Sequence, residues 1–216
     1  MLAGSLFVVT YGRSGSSLLQ KILNSIDGYK INGENLNGLF FLFKSCQAIS
    51  RTHETWKGGS PTIPWIGADK IEAERYVAEV VEAFIRRVIR PDENTRVAGF
   101  KEIRYVDCTE QDFFGMMNFL LRCFPNAKIV FNTRAAAKVA RSGWWRDSEE
   151  SAVVAMVERM DWWFKRLCEE HPQTCYQVSY DDFTNDPGTL TGLFDFLGEV
   201  FDPEKAKDAL SVHLDH

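Results

Sequence analysis

No apolar run in this 216-residue chain approaches 18 residues, so nothing in it has the length of a membrane-spanning helix. Positive charge is also short: 25 Lys and Arg stand against 30 Asp and Glu, a net charge of −5. That balance argues against a nucleic-acid-binding surface and leaves room only for a local basic pocket. The five cysteines (Cys46, Cys108, Cys123, Cys168 and Cys175) are scattered, odd in number and form no CxxC pair. Such a set fits reduced thiols better than a disulfide framework or a zinc site, and no other metal-ligand cluster is visible. The first strand pattern begins almost at the N-terminus, leaving no room for a signal peptide. A soluble, cytoplasmic protein is therefore expected, although a chain separated from a membrane anchor would read the same. Internal repeats, low-complexity tracts and domain boundaries are absent, so residues 1–216 are expected to form one domain.

What is present centres on Gly12-Arg13-Ser14-Gly15-Ser16-Ser17. This stretch follows Leu6-Phe7-Val8-Val9, which reads as a buried strand, and precedes Leu18 to Leu23, which reads as the opening of a helix. A strand, a tight Gly-rich loop and a helix N-terminus together cradle phosphate, because backbone amides point inward and the helix end carries partial positive charge. Ser16 and Ser17 can cap the helix or donate hydroxyls to an anion, and Arg13 can add a fixed charge. An ordinary Gly/Ser turn is the alternative. The loop is not a Walker A motif, since no lysine precedes its hydroxyl residues; chemistry other than NTP hydrolysis is indicated.

Strand and helix patterns then alternate. Strands are expected at Tyr29–Ile31, 96–101, Lys128–Asn132 and Cys175–Val178. Helices are expected at about 16–25, from Leu39, at 69–90, 109–123, from Ala135, at 149–170, 186–197 and 203–210. This alternation predicts a P-loop-like three-layer α/β/α fold around a central, mostly parallel sheet. Right-handed crossovers would bring Arg13, Glu34, Lys101 and Arg134 from the C-terminal strand ends into one cleft. Residues 51–68 are the least regular stretch, and either an acceptor-binding lid or a mobile insertion fits them.

Three motifs in order carry a resemblance. Gly12 to Leu19 resembles the 5′-phosphosulfate loop of sulfotransferases that use 3′-phosphoadenosine 5′-phosphosulfate (PAPS). Arg134 with Ser142, eight residues apart after a strand, resembles the 3′-phosphate motif of that family. Val178 to Phe183, Asp186-Pro187 and Phe196-Leu197-Gly198 resemble its C-terminal signature. Glu34 lies 21 residues after Arg13, a spacing similar to that of the proposed base in tyrosylprotein sulfotransferases. Gly99 to Arg104 looks more like bacterial enzymes acting on sugars or small metabolites.

The resemblance implies transfer of a sulfuryl group from PAPS to a hydroxyl or amine of a carbohydrate or small metabolite, releasing 3′,5′-ADP without a metal. It implies Glu34, Lys101 and Arg13 as catalytic residues, with Glu34 the base and the two cations at the sulfuryl end. It also implies Gly12, Arg13, Ser14, Gly15, Ser16, Ser17, Arg134 and Ser142 as the nucleotide site. Plainer readings stand beside these: Glu34 could cap the next helix, Lys101 could pair with Glu102 or another carboxylate, and Ser142 could simply end a helix. His53 is the runner-up base or a solvated lid residue. Trp144 and Trp145 could stack near the nucleotide, with core packing preferred, and Asp181-Asp182 is read as orienting a turn. His171, His213 and His216 receive no role. The rivals to a sulfotransferase are an ATP-using P-loop kinase and a non-catalytic nucleotide- or glycan-binding domain. Acceptor identity and oligomeric state are not legible.

Overall fold

A computed structural model describes residues 2–58 and 62–211; His213 and His216 lie outside the described residues. Five strands, β1 (Gly4–Val9), β2 (Tyr29–Asn32), β3 (Val97–Glu102), β4 (Ala127–Thr133) and β5 (Cys175–Ser179), form one sheet in the order β2-β3-β1-β4-β5. Every pairing is parallel. Nine α-helices are described: α1 (Ser16–Asn24), α2 (Gly38–Trp56), α3 (Ala73–Phe84), α4 (Glu110–Cys123), α5 (Ala136–Ala140), α6 (Glu150–Glu170), α7 (Tyr180–Asn185), α8 (Thr191–Leu197) and α9 (Pro203–Ser211). The layers are those of an α/β/α sandwich.

The central strands carry unbroken apolar runs, residues 6–9 in β1 and 129–131 in β4, because both sheet faces are covered. Successive residues of β1 point to opposite faces. Leu6 and Val8 join Val130, Ile31 and Val178 in a core closed by Leu19, Ile22 and Leu23 of α1 and Leu193 and Phe194 of α8. Phe7 and Val9 join Phe100, Ile129 and Phe131 in a second core under α2, α3, α4 and α6. At the sheet centre, a Cβ on Gly99 would collide with the Leu6 carbonyl, so β3 and β1 approach there only with glycine. Burial pushes the thiols of Cys108 and Cys168 up to about 11 and that of Cys175 up to about 12, which leaves them protonated at neutral pH.

Two segments in the first half of the chain depart from the periodic pattern. The helix expected over 69–90 is divided into a 3₁₀ turn at Ala68–Lys70, α3, and a π-helical turn at Ile85–Ile89. The wide turn closes through Arg90 N–H to Ile85 C=O at 2.8 Å, with Arg90 at φ 53°, directly before Pro91. Proline disfavours α geometry at the residue before it, and the local ladder adjusts. The stretch over 51–68 is helical as far as Trp56, whose ring stacks on Trp65 at 5.5 Å. His53 Nδ1 lies 3.0 Å from Ala68 O, so the described part of this segment folds back on the end of α2.

Candidate active site

The C-terminal strand ends open into a cleft of about 840 Å³. One wall is the loop after β1. Gly15, at φ 79°, is the N-cap residue of α1, and a Cβ there would fall inside the ring of Tyr180. Among the described residues the Ser16 and Ser17 hydroxyls have no hydrogen-bond partner; both residues line the cleft at the N-terminus of this nine-residue helix. Ser14 is different. Its side chain is fully buried, its Oγ lies 2.7 Å from Thr10 Oγ1, and its carbonyl accepts from Asn132 Nδ2 at 2.9 Å. Ser14 therefore ties the loop to β4 and is not part of the cleft lining.

The opposite wall follows β4. Arg134 Nη1 donates to Arg13 O at 2.9 Å, and its guanidinium lies 4.7 Å from the Tyr180 ring centre. Arg134 Nε is buried with no partner among the described residues, an uncommon state for a charged donor. Arg13, at φ 67°, donates from Nε to Ser142 Oγ at 3.2 Å and lies over Trp144. A left-handed arginine is strained, and such strain is retained where surrounding contacts over-determine it. Trp145 Nε1 donates to Gly12 O at 3.1 Å, so both tryptophans line the cleft, Trp145 also packing against the core. Asp181 accepts from Ala135 N at 2.8 Å and Lys138 Nζ at 2.7 Å. Burial raises the Asp181 pKa, but these hydrogen bonds outweigh it and hold the carboxyl below its usual range. Its role is structural: it fixes the turn that carries Arg134.

The far end of the cleft joins Glu34 and Lys101. Lys101 Nζ lies 2.5 Å from Glu34 Oε1, with side-chain exposures of 6% and 33%. Glu34 does not cap α2, since Gly38 N bonds to Asn35 instead. Ile103, Arg104, Val106 and Asp107 complete this end. Residues 51–68 were read as an acceptor-binding lid or a mobile insertion, with His53 as a second candidate base. His53 instead lines a separate cavity between α2, α3 and α4, and none of the described residues 36–70 borders the cleft. The length of α2 carries His53 away from the strand ends.

Beneath the cleft lies a polar contact with no counterpart in the motifs. Tyr11 is fully buried, and its hydroxyl donates to Asp161 Oδ1 at 3.0 Å and accepts from Arg134 N at 3.0 Å. Burial pushes the Asp161 carboxyl up to about 6. Its pKa is therefore higher folded than unfolded, and the linked stability is complete below about 4 and lost as pH rises through about 6. Asp161→Asn keeps an acceptor for Tyr11 and removes the titration. The stability of this variant relative to wild type, measured by urea unfolding, should rise between pH 4.5 and 7; a difference independent of pH would show that Asp161 titrates normally.

The chain matches the sulfotransferase family over residues 5–203 and belongs to it. The sulfotransferase domain of the olefin synthase of Synechococcus PCC 7002 is similar, with a TM-score of 0.62 and 20% identity, covering 98% of this chain and 78% of that one. A sulfotransferase domain of the curacin biosynthetic pathway gives 0.53 and 17%, over 94% and 77%. A Mycobacterium avium sulfotransferase gives 0.53 and 11%, over 98% and 69%. At these identities the likeness is one of fold. No curated protein matches the sequence.

Tyr180, Asp161 and the 103–107 turn were not singled out as cleft or support residues from sequence, and for Trp144, which lines the cleft, core packing was preferred. Asp161 did leave a signal, as a carboxylate on the α6 stripe formed by Val153, Val157, Met160, Phe164 and Leu167.

Proposed function

We propose that this protein is a PAPS-dependent sulfotransferase, acting on a hydroxyl or amine of a carbohydrate or small-metabolite acceptor. The observation that carries the reading is the arrangement of one cleft with an anion-binding loop and Arg134 at one end and the Glu34–Lys101 pair at the other. PAPS would supply the sulfuryl group and leave as 3′,5′-ADP. The residues present fit it. Arg134 Nε is a buried donor lacking a partner, and the Ser16 and Ser17 hydroxyls are free among the described residues. Arg134 and Ser142 would hold the 3′-phosphate, because a planar guanidinium bonds phosphate oxygens in pairs. Gly12, Gly15, Ser16 and Ser17 would hold the 5′ end with backbone amides and hydroxyls, and Ser14 would support the loop from below.

Glu34 would accept the proton that the acceptor hydroxyl loses as its oxygen bonds to sulfur. Lys101 carries three N–H donors and uses one on Glu34, so the same ammonium can face developing negative charge. Arg13 is a second cation of the cleft and rests against Ser142. Catalysis of this type is mostly positioning and charge stabilisation, as in phosphoryl transfer.

The test is calorimetric titration with 3′,5′-ADP beside ADP and ATP with magnesium. Tighter binding of 3′,5′-ADP is expected. Arg134→Ala should weaken it by ~10–100-fold, the scale of a lost charge-assisted hydrogen bond, and should change ADP affinity much less. ATP binding as well as or better than 3′,5′-ADP would replace this reading with a kinase. Binding without turnover of PAPS on any acceptor would leave a nucleotide-binding domain.

A further inference from the structure

We propose that Glu102 is the positioning residue of the site: a buried carboxylate that clamps the loop carrying Glu34 onto the end of β3. The inference rests on the reading of Glu34 as the base, and one of its tests does not depend on that reading. Glu102 is completely buried, yet it has no cationic partner among the described residues. Its four hydrogen bonds come from backbone amides. Oε2 accepts from Asn35 N at 3.1 Å and from Asn37 N at 2.8 Å. Oε1 accepts from Ile103 N at 2.8 Å and from Arg104 N at 3.2 Å. The Glu102 carbonyl also accepts from Thr10 N at 3.2 Å, where β1 runs into the phosphate loop. One residue thus joins the loop of the base, the 103–107 turn and the exit of β1.

The loop needs such a clamp. Leu36 and Asn37 both stand at φ 56°, a left-handed conformation that costs non-glycine residues free energy. Leu36 is also 70% exposed, so packing of its own side chain does not hold it there. The fixed acceptors are the Glu102 oxygen on the flanking amides of residues 35 and 37 and the Asn35 side chain on Gly38 N. Lys101 and Glu102 are adjacent in β3 and so project to opposite sides of the strand. Lys101 meets the Glu34 carboxylate in the cleft, and Glu102 holds the backbone one residue beyond it. A glutamine at 102 preserves the shape but turns an amide N–H₂ toward one pair of donors, leaving buried N–H groups unpaired.

The experiment compares wild type, Glu102→Gln, Glu34→Gln and the double variant. Three results are expected. Glu102→Gln should lower kcat for sulfuryl transfer from PAPS by ~10–100-fold, with 3′,5′-ADP affinity changed less than about threefold. The double variant should lose no more than Glu34→Gln alone, because Glu102 acts through Glu34. Amide hydrogen exchange at Asn35 and Asn37 should be slow in wild type and in Glu34→Gln, and faster in Glu102→Gln. Wild-type exchange at the Asn35 and Asn37 amides is itself a test and needs no variant to fold: unprotected amides there overturn the clamp. Multiplying losses in the double variant, or equal loss of 3′,5′-ADP affinity in Glu102→Gln, overturns the positioning role. If wild type transfers nothing from PAPS but exchange behaves as expected, the proposed activity fails and the clamp stands.

Discussion

Glu34→Gln is expected to reduce kcat by ~10²–10⁴-fold, the usual contribution of a general base, while 3′,5′-ADP affinity stays within about threefold. The separation follows from the geometry. Glu34 stands at the end of the cleft beside Lys101, and the Gly-rich loop after β1 and Arg134 stand at the other. Glutamine keeps an oxygen for the Lys101 ammonium, so the cation stays in place while the proton acceptor is lost. The ammonium is almost wholly buried, and Glu34→Ala would leave it without its carboxylate; that variant would mix loss of the base with displacement of Lys101. Single-turnover rates with saturating PAPS, beside calorimetry with 3′,5′-ADP, check the prediction. A variant that retains wild-type kcat would reduce Glu34 to a counter-ion for Lys101 and remove it as the base.

The second large effect is expected at Gly15. Gly15→Ala places a methyl group on a residue at φ 79° and drives it into the Tyr180 ring. The left-handed backbone costs ~1–2 kcal/mol for an L-residue, and overpacking adds ~1–3 kcal/mol. A fall in Tm of roughly 5–15 °C follows for a chain of this size. Nucleotide binding should suffer as well. Tyr180 is the ring under Arg134, so any shift that relieves the clash moves the guanidinium and the loop amides together. Loss of one charge-assisted contact already corresponds to ~10–100-fold in Kd. Gly58→Ala is the control, since no atom of the described residues lies within 4 Å of a Cβ there. Thermal unfolding and 3′,5′-ADP titration of both variants test this. Gly15→Ala with wild-type Tm and affinity would mean that the loop and Tyr180 adjust freely.

Much of the frame was legible in the chain. Leu6 to Val9 is apolar without alternation, as a strand covered on both faces must be, and it pairs on both sides. Strand–helix alternation predicted a parallel sheet, and a strand beside a strand with a helix between them has essentially one way to cross over. Strand ends therefore share an edge, and Arg13, Glu34, Lys101 and Arg134 all line one cleft. The 51–68 stretch misled because local composition carries no record of a packing partner: Gly and Pro suggested a lid, but helix α2 runs through Trp56 and the Trp65 ring stacks on it. Trp144 and Trp145 were legible as groups for either the cleft or the core, with the core preferred, since facing one or the other depends on how the 142–145 segment meets Gly12.

The order of residues by itself determined the layers, the parallel sheet, the tight Gly-rich loop after β1 and the edge on which Arg13, Glu34, Lys101 and Arg134 gather, because periodicity and glycine placement act over a few residues. Only the tertiary structure decided which groups meet. Lys101 pairs with Glu34 and not with its neighbour Glu102, as adjacent strand residues face opposite ways. The Glu102 carboxylate takes amides from Asn35 and Asn37, and Asp161 reaches Tyr11 from α6. These contacts join residues 65 to 150 positions apart. They exist because sheet and helix packing brings such groups out of water, where an unpaired polar atom is costly and most find a partner in whatever part of the chain lies beside them.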